Sequence, residues 1–105
     1  MSESTRRQKL EQMLAQEPDD PFLQYALAIE CAAQGDTPTA LDWFEKLTRE
    51  HPDYIPAYYQ YGKLLLQLGH QREAEQVLQR GIREAHRAGE LHAAEEMEAL
   101  LTGLA

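Results

Sequence analysis

The sequence predicts an all-α protein, a chain of helices that repeats itself, and three observations carry that expectation. The chain repeats itself: Pro18 and Pro52 stand 34 residues apart, each followed at once by an aspartate, Asp19 and Asp53. At the same interval Gly35 maps onto Gly69, Ala40 onto Ala74 and Phe44 onto Leu78. Apolar residues recur at the three-and-four spacing of a helix face, and no segment alternates as a half-buried strand does. Proline and glycine punctuate the chain as helices require, proline inside a first turn and glycine just past a last one.

The spacing predicts six helices. Residues 4–16 carry Leu10, Met13 and Leu14 on one face and stop before Pro18. Residues 21–34 open on Pro21 and close at Gly35; this helix is apolar on nearly every side (Phe22, Leu23, Tyr25, Ala26, Leu27, Ile29), as an element flanked by neighbours should be. Residues 37–50 start at Thr37, read as the N-cap ahead of Pro38. Residues 54–68 have Pro56 in the first turn and end at Gly69, and residues 71–88 end at Gly89. The last helix, 90–102, sets Leu91, Ala94, Met97, Leu101 and Leu104 on one stripe, with Glu90, Glu95, Glu96 and Glu98 elsewhere. Ala28 and Gly62 are small where the two helices of a pair cross, with Ala40 and Ala74 doing the same on the second helix. Phe44 and Leu78 are expected to fill the space between pairs.

Read as repeats, the first unit gives Gln24, Leu27, Ala28, Cys31, Ala40, Phe44 and Pro52; the second gives Tyr58, Tyr61, Gly62, Leu65, Ala74, Leu78 and His86. Over residues 19–88 this resembles the tetratricopeptide repeat, whose 34-residue unit is a helix–turn–helix pair, and in length the chain is similar to short bacterial members of that family. Gln24 and His86 depart from the pattern, which has a large residue at the first position and proline at the second. The resemblance implies a right-handed α-solenoid of about two and a half repeats in a single domain over 1–105: an N-terminal half-repeat (4–18), repeat 1 (19–52), repeat 2 (53–88) and a capping helix (89–105). A charged terminal cap is what a solenoid needs for solubility.

Composition narrows the function. The chain has 105 residues, 43% hydrophobic and 27% charged, which fits a folded domain rather than disorder. Acidic residues outnumber basic ones 18 to 10, for a net charge of −8 and a pI near 4.9. Binding a phosphate backbone calls for the opposite field, so no nucleic acid is expected. No apolar run is long enough for a membrane span, and MSESTRRQKL lacks the apolar core of a secretory signal. A single cysteine, Cys31, makes no internal disulfide. Together these point to a cytoplasmic protein.

The resemblance implies a ligand groove on the concave side, lined by the first helix of each unit. Phe22, Tyr25, Ile29 and Ala33 would line it in repeat 1, and Tyr59, Lys63, Leu66 and Gln67 in repeat 2. Ala26, Ile29 and Ala33 map onto Gln60, Lys63 and Gln67, so the groove would be apolar at one end and polar, with one cation, at the other. Phe22, Tyr25, Ile29, Tyr59, Lys63 and Gln67 are therefore the candidate partner-binding residues. The partner would be a peptide or helix with an apolar anchor and an acidic or carbonyl group near Lys63. The alternative is that the last helix, or a second subunit in a homodimer, covers this strip. The family's carboxylate clamp of Lys, Asn and Arg is not carried over: its positions hold Tyr25, Ile29, Gln60, Glu90 and Ala94.

The remaining candidates have plainer readings. Tyr58 and Tyr61 fall at repeat core positions, and Tyr59 points the other way. Trp43 is either packed between units or on the outer face. His86 and Glu90 have zinc-ligand spacing, but Gly89 interrupts the helix between them, and His51, His70 and His92 are isolated; no metal or other cofactor is expected. Cys31 sits at a core position with no histidine placed to activate it. No phosphate loop, nucleophile elbow or paired carboxylates in an apolar setting is present, so no enzymatic chemistry is expected. Arg6, Arg7 and Lys9 form a basic patch, read either as helix solvation or as a mate for the acidic last helix of another subunit.

Overall fold

The structure, a computed structural model, describes residues 5–103; the predicted start of the first helix at position 4 and the predicted stripe residue Leu104 lie outside the described residues. Among those residues there are six α-helices and no strand: α1 (Arg6–Gln16), α2 (Pro21–Ala33), α3 (Thr37–Glu50), α4 (Ile55–Gln67), α5 (Gln71–Ala88) and α6 (Leu91–Thr102). Helix positions and boundaries agree closely with the periodicity and the proline–glycine punctuation. The chain falls into two compact units, residues 1–50 and 51–105.

Local chemistry sets the ends of the helices. A capping box opens α1: Thr5 Oγ1 accepts from the Gln8 N–H at 3.1 Å, while the Thr5 N–H donates to Gln8 Oε1 at 2.9 Å. Asp20 caps α2, accepting from the Leu23 N–H at 3.2 Å, and Pro21 takes the first helical position, where a missing N–H costs nothing. The cap of α3 is Asp36, not Thr37. Thr37 is already helical, and Asp36 Oδ1 accepts from the Thr39 N–H at 3.4 Å. A carboxylate one residue earlier serves the positive helix end better than a hydroxyl. The turns leaving α2 and α4 are alike: Gly35 and Gly69 have φ of 80° and 79°, and the Asp36 and His70 N–H groups reach back to Cys31 O and Leu65 O, each at 2.9 Å.

In the first unit α2 packs against both α1 and α3. Leu10 and Leu14 of α1, Leu23, Leu27, Ala28 and Cys31 of α2, and Ala40, Phe44 and Leu47 of α3 are buried. Arginines tie α1 down at the rim. Arg7 contacts Asp36 at 2.9 Å, Gln34 at 3.2 Å and Glu11 at 3.5 Å, and Arg6 meets Glu30 at 3.3 Å. Two of the three residues of the basic patch are thus engaged within their own unit. The Thr39 side chain, and after it the Arg7 guanidinium, hold the Asp36 carboxyl below the usual carboxylate range, with the Thr39 N–H adding a smaller share.

In the second unit α4 packs on α5, and α6 packs on both. Ile55, Tyr58, Leu78, Ala85, Ala94 and Met97 form its core. Leu78 lies directly against Gly62, so that a β-carbon on Gly62 would overlap it, and it shares one core with Ala94 and Met97 of α6. Gly81 is equally crowded, lying beneath Tyr58 Cβ and Met97 Sδ. The predicted stripe of α6 holds at Ala94 and Met97, both buried, and fails at Leu91, which is 59% exposed.

Candidate functional site

The candidate residues of α2 share one stripe. Asp20 and Pro21 start the helix so that Phe22 stands in its first turn, and Tyr25, Ile29 and Ala33 follow at three- and four-residue steps. Phe22 is 55% exposed, Ala33 is exposed, and Tyr25 and Ile29 are half-buried. The Arg6–Glu30 pair runs from α1 to the same helix.

On α4, Tyr59, Lys63 and Gln67 also share a stripe, at steps of four. Lys63 and Gln67 are exposed, but Tyr59 is half-buried and packs on the core around Tyr58, Leu78 and Met97. Tyr59 does not point away from the interior as its helical position suggested; a large ring beside Leu66 turns towards the apolar surface that α6 completes. Leu66 packs on the same core. Within each helix the expected residues come together, three of the six exposed (Phe22, Lys63, Gln67) and three half-buried (Tyr25, Ile29, Tyr59).

One feature of the first unit escaped the sequence reading. Glu11, Leu14 and Ala15 of α1, Pro18, Leu27 of α2, and Trp43 and Lys46 of α3 line a depression of about 250 Å³. Trp43 is half-buried there, its indole facing the Lys46 ammonium 5.4 Å from the ring centroid. Trp43 and Lys46 lie one helical turn apart, which was the available signal; the contribution of α1 to the same wall was not visible from spacing.

The titratable groups act structurally. Cys31 is fully buried, and burial pushes its thiol up, away from the reactive thiolate. Burial likewise raises the Tyr58 phenol, whose hydroxyl donates to Pro52 O at 2.7 Å. Three of the four histidines pair singly with glutamates on the surface: His70 with Glu73 at 3.9 Å, His86 with Glu98 at 3.6 Å, and His92 with Glu96 at 3.3 Å. Among the described residues no three metal-ligating side chains gather, and no helix is long and apolar enough to cross a membrane. The exposed candidate residues are Phe22 and Ala33 on α2 and Lys63 and Gln67 on α4.

Comparison with known proteins gives a consistent result. The family profile described as Tetratricopeptide repeat matches residues 31–97. A crystal structure of a tetratricopeptide repeat domain protein from Salinibacter ruber is 34% identical, with a TM-score of 0.72 over 77% of this chain and 90% of that one. A solution structure of a tetratricopeptide repeat domain protein from the same organism is 35% identical, with a TM-score of 0.76 over 79% and 84%. A protein from Bordetella parapertussis, also solved in solution, is 26% identical with a TM-score of 0.83 over 97% and 89%. No curated protein sequence matches the chain.

Proposed function

The chain belongs to the tetratricopeptide repeat family, and we propose that it is a non-catalytic interaction module that binds a peptide or helix of a protein partner, with Phe22, Tyr25 and Ile29 of α2 and Tyr59, Lys63 and Gln67 of α4 as the contact residues of their units. Exposure of Phe22 carries this reading. A phenylalanine 55% exposed, on the same stripe as Tyr25 and Ile29, is an apolar contact left available in a chain that buries its other phenylalanine completely. On α4 the equivalent stripe carries Lys63 and Gln67 in place of apolar residues, which suits an acidic or carbonyl group of a partner. No residue brings chemistry to that surface, which fits binding without turnover.

Because Tyr59 supports its own unit's core, the clean probes are the exposed positions. Selection of peptides on the wild-type chain is expected to enrich sequences that combine a large apolar residue with acidic ones. Binding of an enriched peptide, followed by calorimetry, should fall about tenfold or more in Phe22→Lys. In Lys63→Glu the preference for acidic residues should disappear. Both variants should keep the wild-type helical circular dichroism. Binding retained in full by both would overturn the assignment.

A further inference from the structure

Each complete helix pair seats its first helix on the same stripe of its second helix. In the second unit that stripe is Val77, Arg80, Gly81 and Glu84: the Arg80 guanidinium stands 5.6 Å from the centroid of the Tyr58 ring, and Gly81 lies beneath Tyr58 Cβ. The repeat interval, counted back, gives Trp43, Lys46, Leu47 and Glu50 in the first unit. There Leu47 is fully buried, and Glu50 accepts a hydrogen bond from Gln24 of α2 at 3.4 Å. Counted back once more, with Leu10 matching Phe44 and Pro18 matching Pro52, it gives Lys9, Gln12, Met13 and Gln16 of α1. Here the same flank is exposed, Met13 to 52%, while Leu10, the equivalent of the Leu78 that meets Gly62, is buried. By register α1 is a second helix, and this flank of the face on which a first helix would sit looks outward.

The converse holds at α6. It packs against α5 and α4, as α2 packs against α1, so it occupies the place of a first helix. Its outward stripe is Leu91, Glu95 and Ala99, all exposed. The two surfaces are also complementary in charge. The first turn of α1 has no acidic residue, and Lys9 and the largely exposed Arg6 stand on or beside its stripe. On α6 the exposed residues include Glu95, Glu96 and Glu98.

We propose that the outward stripe of α1 receives α6 of a second copy of this chain, completing a helix pair between molecules. Met13 and Leu91 supply the apolar contact, and Lys9 faces the α6 glutamates. Such a contact is heterologous, each copy offering one seat and one helix, so assembly grows with concentration instead of stopping by symmetry at a dimer. With one methionine, one leucine and screened surface charges, the contact is weak and weakens further with salt. It uses neither Phe22 nor Lys63 and stands independently of the ligand reading above.

Sedimentation of the full chain at low salt, from micromolar to near-millimolar concentration, tests the proposal. The weight-average mass is expected to rise to at least twice the monomer value and to fall back on adding salt. A variant with Lys9→Glu and Met13→Glu loses the seat, and a Glu95→Lys variant weakens the helix surface. All three positions are exposed, so both variants should stay folded, with wild-type circular dichroism. Each alone should remain close to monomeric. An equimolar mixture should form a one-to-one dimer through the intact seat of one and the intact helix of the other. A monomeric wild type throughout, variants that associate like wild type, or a mixture that stays monomeric would each overturn the proposal.

Discussion

The two helix pairs place different residues at one crossing and arrive at the same contact. Gln24 and Tyr58 are repeat equivalents. Gln24 Nε2 donates to Pro18 O at 2.9 Å, and the Tyr58 hydroxyl donates to Pro52 O at 2.7 Å, each carbonyl lying six residues back and each belonging to the repeated proline. The position opposite compensates for size: Leu47 in the first unit, Gly81 in the second. An amide is matched with leucine and a large ring with glycine, so bulk moves from one side of the crossing to the other. A repeat position read by itself looks like a departure from pattern; read with the residue across the crossing, it is half of an exchange. The pairs differ in polar satisfaction. Tyr58 buries one polar atom and uses it, whereas Gln24 buries two and leaves Oε1 without a partner.

If volume is exchanged across the crossing, the exchange should be transferable. Gly81→Leu in the second unit drives a side chain into Tyr58 and Met97, and is expected to cost about 3 kcal/mol in urea unfolding, the upper part of the usual overpacking range. Adding Tyr58→Gln to it recreates the Gln–Leu pairing of the first unit and, by removing the ring while Cβ and Met97 Sδ stay in place, should recover part of that loss, with a coupling of about 1 kcal/mol. Strictly additive effects would break the comparison.

A smaller effect separates the hydroxyl from the amide. Tyr58→Phe keeps the packed ring and removes a satisfied hydrogen bond, an expected loss of about 1 kcal/mol. Gln24→Met also removes its bond to a proline carbonyl, but takes an unpartnered buried oxygen with it, so the net change should be within about 0.5 kcal/mol of zero. Equal losses in the two variants would mean that the Oε1 of Gln24 carries no penalty.

Much of the fold was legible because it depends on backbone punctuation and period. Pro21, Pro56, Gly35 and Gly69 act through fixed or left-handed φ, which no distant contact overrides, and the 34-residue interval set the pairing of helices. The cap of α3 was misplaced because Asp36 and Thr37 are both good capping residues, and adjacency alone does not choose between them. Tyr59 was assigned to the wrong side of its helix; which neighbour covers a face is a property of three-dimensional packing that helical spacing does not contain. Spacing put Phe22, Tyr25, Ile29 and Ala33 on one stripe of α2, but not which of them are half-buried, since that depends on the neighbouring helices. The depression around Trp43 was not, since α1 contributes to it from more than 25 residues earlier in the chain.

The equivalent turns offer the finest contrast. Asp36 and His70 occupy the same place before α3 and α5. Asp36 caps its helix and binds Arg7, while His70 makes no side-chain cap hydrogen bond. The Asp36 carboxyl ionises below its ordinary value in the folded chain. Its contribution is therefore present in full above the unfolded value of about 3.9 and disappears as pH falls through the lower folded value. Asparagine is an equally good cap, so Asp36→Asn removes the charge and keeps the cap. The variant should melt slightly lower than wild type at neutral pH, and the two melting curves should converge below pH about 3.9 as the wild-type carboxyl protonates. His70→Asp tests the other turn: it should add a cap to α5 and raise the melting temperature a little at neutral pH. A gap between wild type and Asp36→Asn that is the same in acid as at neutral pH would show that the carboxylate contributes no charge-dependent stability. The difference between the two turns would then be one of cap geometry alone.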